Sequence, residues 1–447
     1  MWHRLAYYPQ MLERLHAEHG EVASYRLPYG DFVVVYQPSL VAEVLAAEGE
    51  LILQGGASVL TTLDYAPSHE MRPAGEVLTT LPISILAACY GEEHRWRAAA
   101  MRAAVEESTD YFSSVMIERI VPALDAWRPG EVVRLRDAFM LLASDVLATG
   151  MLGRDMKPPP DFWIRFRSAF MWELISNSLP LSSLIRLLPV RSLKRAAETL
   201  EFVDELILAA ISLSRDPQWR GSDLVSSLVR SKGKDGAERP PPDRVIRDDI
   251  CGAVGASLGP LTFLASWCVD HLAWNPGARE RLETEVDEVL GGGPIAVSDY
   301  HRLPYARAVM QEALRLSPPS YFWEKRAAED IVLGGYFVPR DTTVMVTAGM
   351  AQRRPEFFDD PLRFKPERWL GEPRSEPRPP AFMPFGHGYR QCPGSPLVPR
   401  FGVYLMACLA QRWRLEPVSR RPAQPFFGLT GPYRIRGAYR VRVCERP

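Results

Sequence analysis

The spacing of apolar and polar positions divides the chain into a short mixed opening, a long helical body and an irregular close. Residues 8–19 carry apolar side chains at helical spacing. Residues 22–27 and 31–36 alternate as strands do, and Pro28-Tyr29-Gly30 between them reads as a hairpin turn. Pro38-Ser39 then opens a short helix through Val41, Val44 and Leu45. Residues 54–90 show no period, with Gly, Pro and Ser scattered among apolar residues; a loop of that length inside a compact domain points to function. From Glu92 onward the helical period takes over, and helices are predicted over 92–105, 109–127, 136–152, 160–177 and 192–214. Residues 232–242 form a polar, charged linker. Residues 244–274 read as one very long apolar helix, stopped by Asn275-Pro276. Helices over 277–290 and 305–316 follow, then short strands within 331–346 with turns at Gly334-Gly335 and Pro339. A proline-rich, loop-like stretch over 355–400 leads to a last helix over 403–414. The pattern predicts one domain over residues 1–447, mainly α with small β-sheets (α+β). Its β parts lie near 20–40, near 320–350 and at the C-terminus, and its helical parts over 91–316 and 400–415.

Composition narrows the function classes. A chain of 447 residues buries a large core, and a formal net charge of −1 with mixed signs excludes bulk binding to nucleic acid or an anionic membrane. The six cysteines are scattered and none has CxxC spacing, so a zinc or iron–sulfur site and a disulfide framework are both disfavoured. Five of them read as core or surface thiols. The N-terminal segment has no apolar run long enough for an anchor and no long apolar centre of a secretory signal. The expectation is a soluble, cytoplasmic, monomeric protein.

The remaining cysteine stands apart. Cys392 lies in Phe385-Gly386-His387-Gly388-Tyr389-Arg390-Gln391-Cys392-Pro393-Gly394. Glycines at 388 and 394 let the backbone turn tightly against a flat ligand. Phe385 can cover the sulfur, and Arg390 can meet an anionic group. A single thiolate offered in this way is the axial ligand of oxygen-activating haem enzymes. Upstream, Glu312 and Arg315 share one helix face at i,i+3, and Arg368 in Phe364-Lys365-Pro366-Glu367-Arg368-Trp369 can complete a buried triad in which each charge has a partner.

These three segments, in this order, resemble the cytochrome P-450 superfamily, and the resemblance covers essentially the whole chain. It implies the family's fold, with haem b between the long central helix and the cysteine loop with its following helix. It implies that Cys392 is the proximal thiolate and iron ligand, and that Glu312, Arg315 and Arg368 are structural. It implies propionate partners in Arg326, with Arg390 as a second, and in His94. The arginine that should follow His94 four residues on is replaced by Ala98, leaving Arg97 or Arg102 as substitutes.

The distal side departs from that family. Counting back from Asn275-Pro276 puts Ala256-Ser257-Leu258-Gly259-Pro260 where an acid–alcohol pair belongs. Gly259 and Pro260 offer no proton, and Pro260 also removes a helix hydrogen bond. Proton relay then falls to water, to Ser257 or to a substrate group. A shifted register would make Thr262 the alcohol. Alternatively, the enzyme takes an already oxygenated substrate, acting as a peroxygenase, hydroperoxide isomerase or dehydratase. A non-catalytic haem or ligand-binding protein is a third reading. Pro396 and Pro399 are expected to delay the last helix.

The resemblance also places substrate-contacting segments at 54–90, 162–188, 254–261, Ser320-Tyr321-Phe322-Trp323 and Phe426-Phe427-Gly428-Leu429, all rich in apolar residues. The leading expectation is monooxygenase oxidation of a hydrophobic small molecule in bacterial secondary metabolism. Electrons would come from a separate ferredoxin or flavodoxin, docking on a basic face made by Arg95, Arg97, Arg102, Lys325, Arg400, Arg412 and Arg414.

Overall fold

The structure is a computed structural model that describes residues 8–27, 30–47, 52–54, 91–157, 159–166, 168–169, 191–232, 240–371, 381–427 and 433–446. All but the first residue of the expected loop at 54–90 and half of the predicted helix over 160–177 lie outside the described residues. Helix α1 (Tyr8–His19) leads into strands β1 (Val22–Leu27) and β2 (Gly30–Val35), then α2 (Pro38–Ala46) and β3 (Ile52–Gln54). The helical body runs through α3 (Gly91–Glu107), α4 (Thr109–Asp125), β4 (Val132–Arg134), α5 (Leu135–Leu152), α6 (Arg191–Ser214) and α7 (Leu224–Arg230). It continues through α8 (Asp243–Trp274), α9 (Pro276–Leu290) and α10 (Pro304–Leu316). Strands β5 (Trp323–Ala327), β6 (Ile331–Leu333), β7 (Tyr336–Val338) and β8 (Thr343–Val346) follow. Helix α11 (Leu397–Arg412) then precedes β9 (Trp413–Pro417), β10 (Pro425–Phe427), β11 (Tyr433–Ile435) and β12 (Arg440–Glu445).

One sheet joins strands from residues 22–54 to strands from residues 323–346. Its strand order is β1-β2-β8-β5-β3, with β2 and β8 parallel and the remaining neighbours antiparallel. The apolar run Val33-Val34-Val35 and the strand Thr343-Val344-Met345-Val346 sit at its centre, buried on both faces. The helical body packs around α8, which lies against α5, α6, α10 and α11. Helix α8 is long and apolar enough to cross a membrane by length and composition, but 67% of its most apolar window is buried inside the protein, as in a core helix.

Helix α7 and the exact place of strand β5 are not written in the apolar period. Helix α7 is only seven residues long and is set by its cap: Asp223 accepts from the backbone N–H of Ser226 at 2.9 Å and from its hydroxyl at 2.6 Å. Strand β5 reads Trp-Glu-Lys-Arg-Ala, whose charges look like solvated surface, yet it is held between β3 and β8. The expected delay of the last helix is also corrected. Helix α11 begins at Leu397, with Pro399 inside its first turn, where backbone N–H groups have no intrahelical partner and a proline removes nothing.

Candidate active site

The cysteine loop is held by its own backbone. The Cys392 N–H donates to the Phe385 carbonyl at 2.9 Å, and the Ser395 N–H to the Cys392 carbonyl at 3.2 Å. Gly386 and Gly388 take positive φ of 75° and 72°. A Cβ on Gly388 would come within 2.9 Å of the Leu45 carbonyl oxygen, so only glycine lets the loop pass the end of α2. The Cys392 side chain is reachable from outside, although protein surrounds the sulfur closely. That burial raises its pKa, while the backbone N–H groups of Gly394 and Ser395 favour the thiolate.

Glu312, Arg315 and Arg368 form one buried cluster. Glu312 and Arg315 are completely buried and joined by two hydrogen bonds of 2.8 and 2.9 Å. Arg368 Nε (3.0 Å), the Lys365 N–H (2.9 Å) and Trp369 Nε1 (2.9 Å) also donate to the Glu312 carboxylate. Arg315 reaches on to the carbonyls of Gln352 (2.8 Å) and Pro361 (2.6 Å), tying α10 to the loops that lead to Cys392. Burial pushes the Glu312 pKa up, but the Arg315 hydrogen bond and charge outweigh it and leave it lowered.

Cations converge on His94. Its imidazole is buried, and burial followed by the charges of Arg390, Arg102, Arg97 and Lys325 lowers its pKa to about 3, so it is neutral at physiological pH. The resemblance implies Arg326 here, and its neighbour on β5, Lys325, also acts on His94. Successive residues of a strand face opposite sides of the sheet. Lys325 is buried with only 3% exposure and lies close enough to His94 to act on it, whereas Arg326 binds Asp341 at 3.0 Å. Arg97 does not stand in simply for the arginine missing at Ala98. It bridges two helices, donating to Asp249 of α8 through Nε (3.2 Å) and Nη2 (2.6 Å) and to Glu93 at 2.9 Å.

The basic docking face is also corrected. Arg97 and Lys325 are buried, Arg412 pairs with Asp125 at 2.6 Å and Arg414 with Glu283 at 3.3 Å. A groove of about 580 Å³ opens at Cys392, and there Arg102 and Arg400 stand among three carboxylates, Glu106, Glu107 and Asp110.

Helix α8 runs unbroken through Pro260. Its middle carries one accessible strip, in which Gly252, Ala253, Gly255, Ser257 and Pro260 are half-buried and Ala256 is exposed, while Val254, Leu258 and Leu261 are buried. Asp249 stands one turn before the strip, on the same face, and is tied through Arg97 to the His94 cluster. The strip therefore begins one helical turn from the cations beside the cysteine loop. Neither hydroxyl of the region is aimed from it. Ser257 donates back to the Ala253 carbonyl at 2.6 Å. Thr262, fully buried and about 200° around the helix from Pro260, donates to the Leu258 carbonyl at 2.7 Å. Gly259 is buried beside Phe263.

A family model described as Cytochrome P450 matches residues 100–434. The chain belongs to the cytochrome P450 family. Among its relatives, pentalenene oxygenase of Streptomyces avermitilis is 27% identical over 402 residues, covering 89% of this chain and 84% of that protein. Cyclooctat-9-en-7-ol 5-monooxygenase of Streptomyces melanosporofaciens is 28% identical over 342 residues, covering 74% and 73%. The solved structure titled "Retinoic acid bound cyanobacterial CYP120A1" superposes with a TM-score of 0.79 at 20% identity, covering 97% of this chain and 94% of that one, and so shares its fold.

A P450 oxidoreductase carries haem b, and the residues present fit it. A reachable thiol is backed by two N–H donors. Beside it stands a neutral buried histidine ringed by Arg390, Arg102, Arg97 and Lys325, a donor set suited to the two propionates of the porphyrin. Lys325 and the Arg97–Asp249 bridge were missed from the sequence. The only signal for the bridge, two opposite charges 152 residues apart, carries no spacing rule.

Proposed function

We propose that this P450 is a monooxygenase acting on a polycyclic, largely apolar small molecule of terpenoid type, with Cys392 as the thiolate ligand of its haem. The supporting observation is the Cys392 sulfur, whose thiolate the backbone N–H groups of Gly394 and Ser395 favour, two residues from Arg390 of the cation cluster around His94. Haem bound there supplies oxygen activation: O₂, two electrons and two protons yield one oxygen in the product and one in water. His94, Lys325, Arg390 and Arg102 would hold its propionates. Phe385, half-buried against the main core, fixes the loop through its carbonyl, and Gly394 places an N–H on the sulfur. The apolar strip of α8 orients substrate and excludes water from the reacting face. The relatives named pentalenene oxygenase and cyclooctat-9-en-7-ol 5-monooxygenase support the substrate class. An external ferredoxin or flavodoxin would supply the electrons. Its contact surface would carry both signs, because the groove at Cys392 does.

One observation favours a second reading, in which a peroxide or N–O substrate replaces O₂ and reductant. From Ile250 to Val269, α8 carries no carboxylate, and its Ser257 and Thr262 hydroxyls are spent on backbone carbonyls. Product formation is compared with O₂ plus a reductase system, with hydrogen peroxide, and with neither. Turnover that requires O₂ and electrons is the expected result. Equal or greater turnover with peroxide alone would favour the second reading over the first.

A further inference from the structure

The proline inside α8 creates a binding group. Pro260 has no N–H, so the Ala256 carbonyl four residues earlier loses its i+4 donor. A carbonyl freed in this way within a protein interior requires another donor. Ala256 is the exposed residue at the centre of the accessible strip, one turn beyond the turn that follows Asp249. Asp249, Gly252, Ala253, Ala256 and Pro260 all fall on one face. The other polar groups of that stretch do not compete for this role. The Ser257 hydroxyl is given to Ala253, the Thr262 hydroxyl to Leu258, and Asp249 to Arg97. The Ala256 carbonyl thus lacks its i+4 donor and is set in a wall of glycine, alanine and proline.

We propose that the Ala256 carbonyl is the polar anchor of the substrate pocket and accepts a hydrogen bond from a substrate hydroxyl. The inference rests on the monooxygenase reading above and specifies its substrate: a cyclic apolar skeleton that already carries an alcohol. The enzyme then adds a second oxygen. The reaction that supplies its substrate must install the first, either as an earlier hydroxylation or as a cyclisation ended by water capture. The strip's small side chains suit this role, since they leave room for a carbon skeleton beside the carbonyl and offer no rival donor.

The test uses Pro260→Ala, which restores the N–H and returns the Ala256 carbonyl to the helix without adding any polar side chain. Wild-type and variant holoproteins are titrated with two matched pairs, cyclododecane with cyclododecanol and decalin with 2-decalol, following the optical shift of the haem. The readout is the alcohol-to-hydrocarbon affinity ratio, in which general effects on pocket shape cancel. The wild-type ratio is expected to exceed the variant's by about 3- to 10-fold, the range of one net hydrogen bond. Equal ratios in the two proteins would overturn the anchor. Binding of neither member of either pair would overturn the substrate class. The reduced, CO-bound spectrum is recorded on the same preparations. Loss of the thiolate band there strikes the haem-thiolate reading itself, which separates the two failures.

Discussion

Replacing Glu312 with glutamine should remove the clamp beneath the cysteine loop while leaving its shape nearly intact. The carboxylate takes five donors: two from Arg315 and one each from Arg368, the Lys365 N–H and Trp369. An amide in its place turns an NH₂ toward at least two of them and leaves the Arg315 guanidinium without a counter-charge. Both Glu312 and Arg315 side chains have 0% exposure, so water cannot compensate. Breaking a fully buried pair on one side costs about 3–5 kcal/mol. For a chain of 447 residues the entropy of unfolding is roughly 0.9 kcal/mol/K, so the expected fall in Tm is about 3–5 °C. The control is Asp161→Asn, which breaks an exposed pair with Arg165 (2.7 Å, 65% and 40% exposed) worth about 1 kcal/mol or less. Differential scanning calorimetry of the three holoproteins reads both shifts. A Glu312→Gln shift no larger than that of Asp161→Asn would refute the claim that the triad holds this part of the fold.

Two further predictions concern the same side of the molecule. His271 is held near a pKa of about 3, chiefly by burial, against an ordinary 6.5. The folded state therefore refuses protons that the unfolded chain takes up. The associated stability is complete above pH 6.5 and is lost as the pH falls from there toward 3, about 2 kcal/mol per histidine between pH 7 and 5. His271 is stacked on Phe364 (4.9 Å between ring centres) and on Trp267 (5.7 Å). His271→Phe should keep that stacking and cut the acid-induced loss by about 2 kcal/mol in urea titrations at the two pH values; an unchanged loss contradicts the assignment. Lys325→Met should speed haem transfer to apomyoglobin by about 10-fold or more, the loss of one charge-assisted hydrogen bond. Arg326→Met, whose partner is Asp341, should change that rate by less than about 3-fold, and the reverse order would contradict the strand-face argument.

Much of the architecture was legible because it is written in local patterns. The apolar period located the helices Gly91–Glu107, Leu135–Leu152 and Asp243–Trp274 to within a few residues, and the loop around Cys392 records its chemistry within ten positions. The Glu312 clamp was legible because two of its members share a helix turn and the third follows in a proline-marked segment. What failed was geometry that spacing does not encode. In a strand, a shift of one residue exchanges faces, so Lys325 and Arg326 could not be told apart without the pairing of β5 to β8. The Arg97–Asp249 bridge joins helices 152 positions apart, and the acidic side of the groove at Cys392 arises from the end of α3 meeting the cysteine loop. Pro399 was read as a helix breaker, but its meaning depends on which turn it occupies.

The central claim is that Cys392 supplies a thiolate to haem. The reduced, CO-bound difference spectrum of the wild-type holoprotein and of Cys392→Ala tests it most directly. The account predicts the red-shifted Soret band of thiolate ligation in the wild type and its loss in the variant. A wild-type spectrum without that band, or its survival in Cys392→Ala, would contradict the claim.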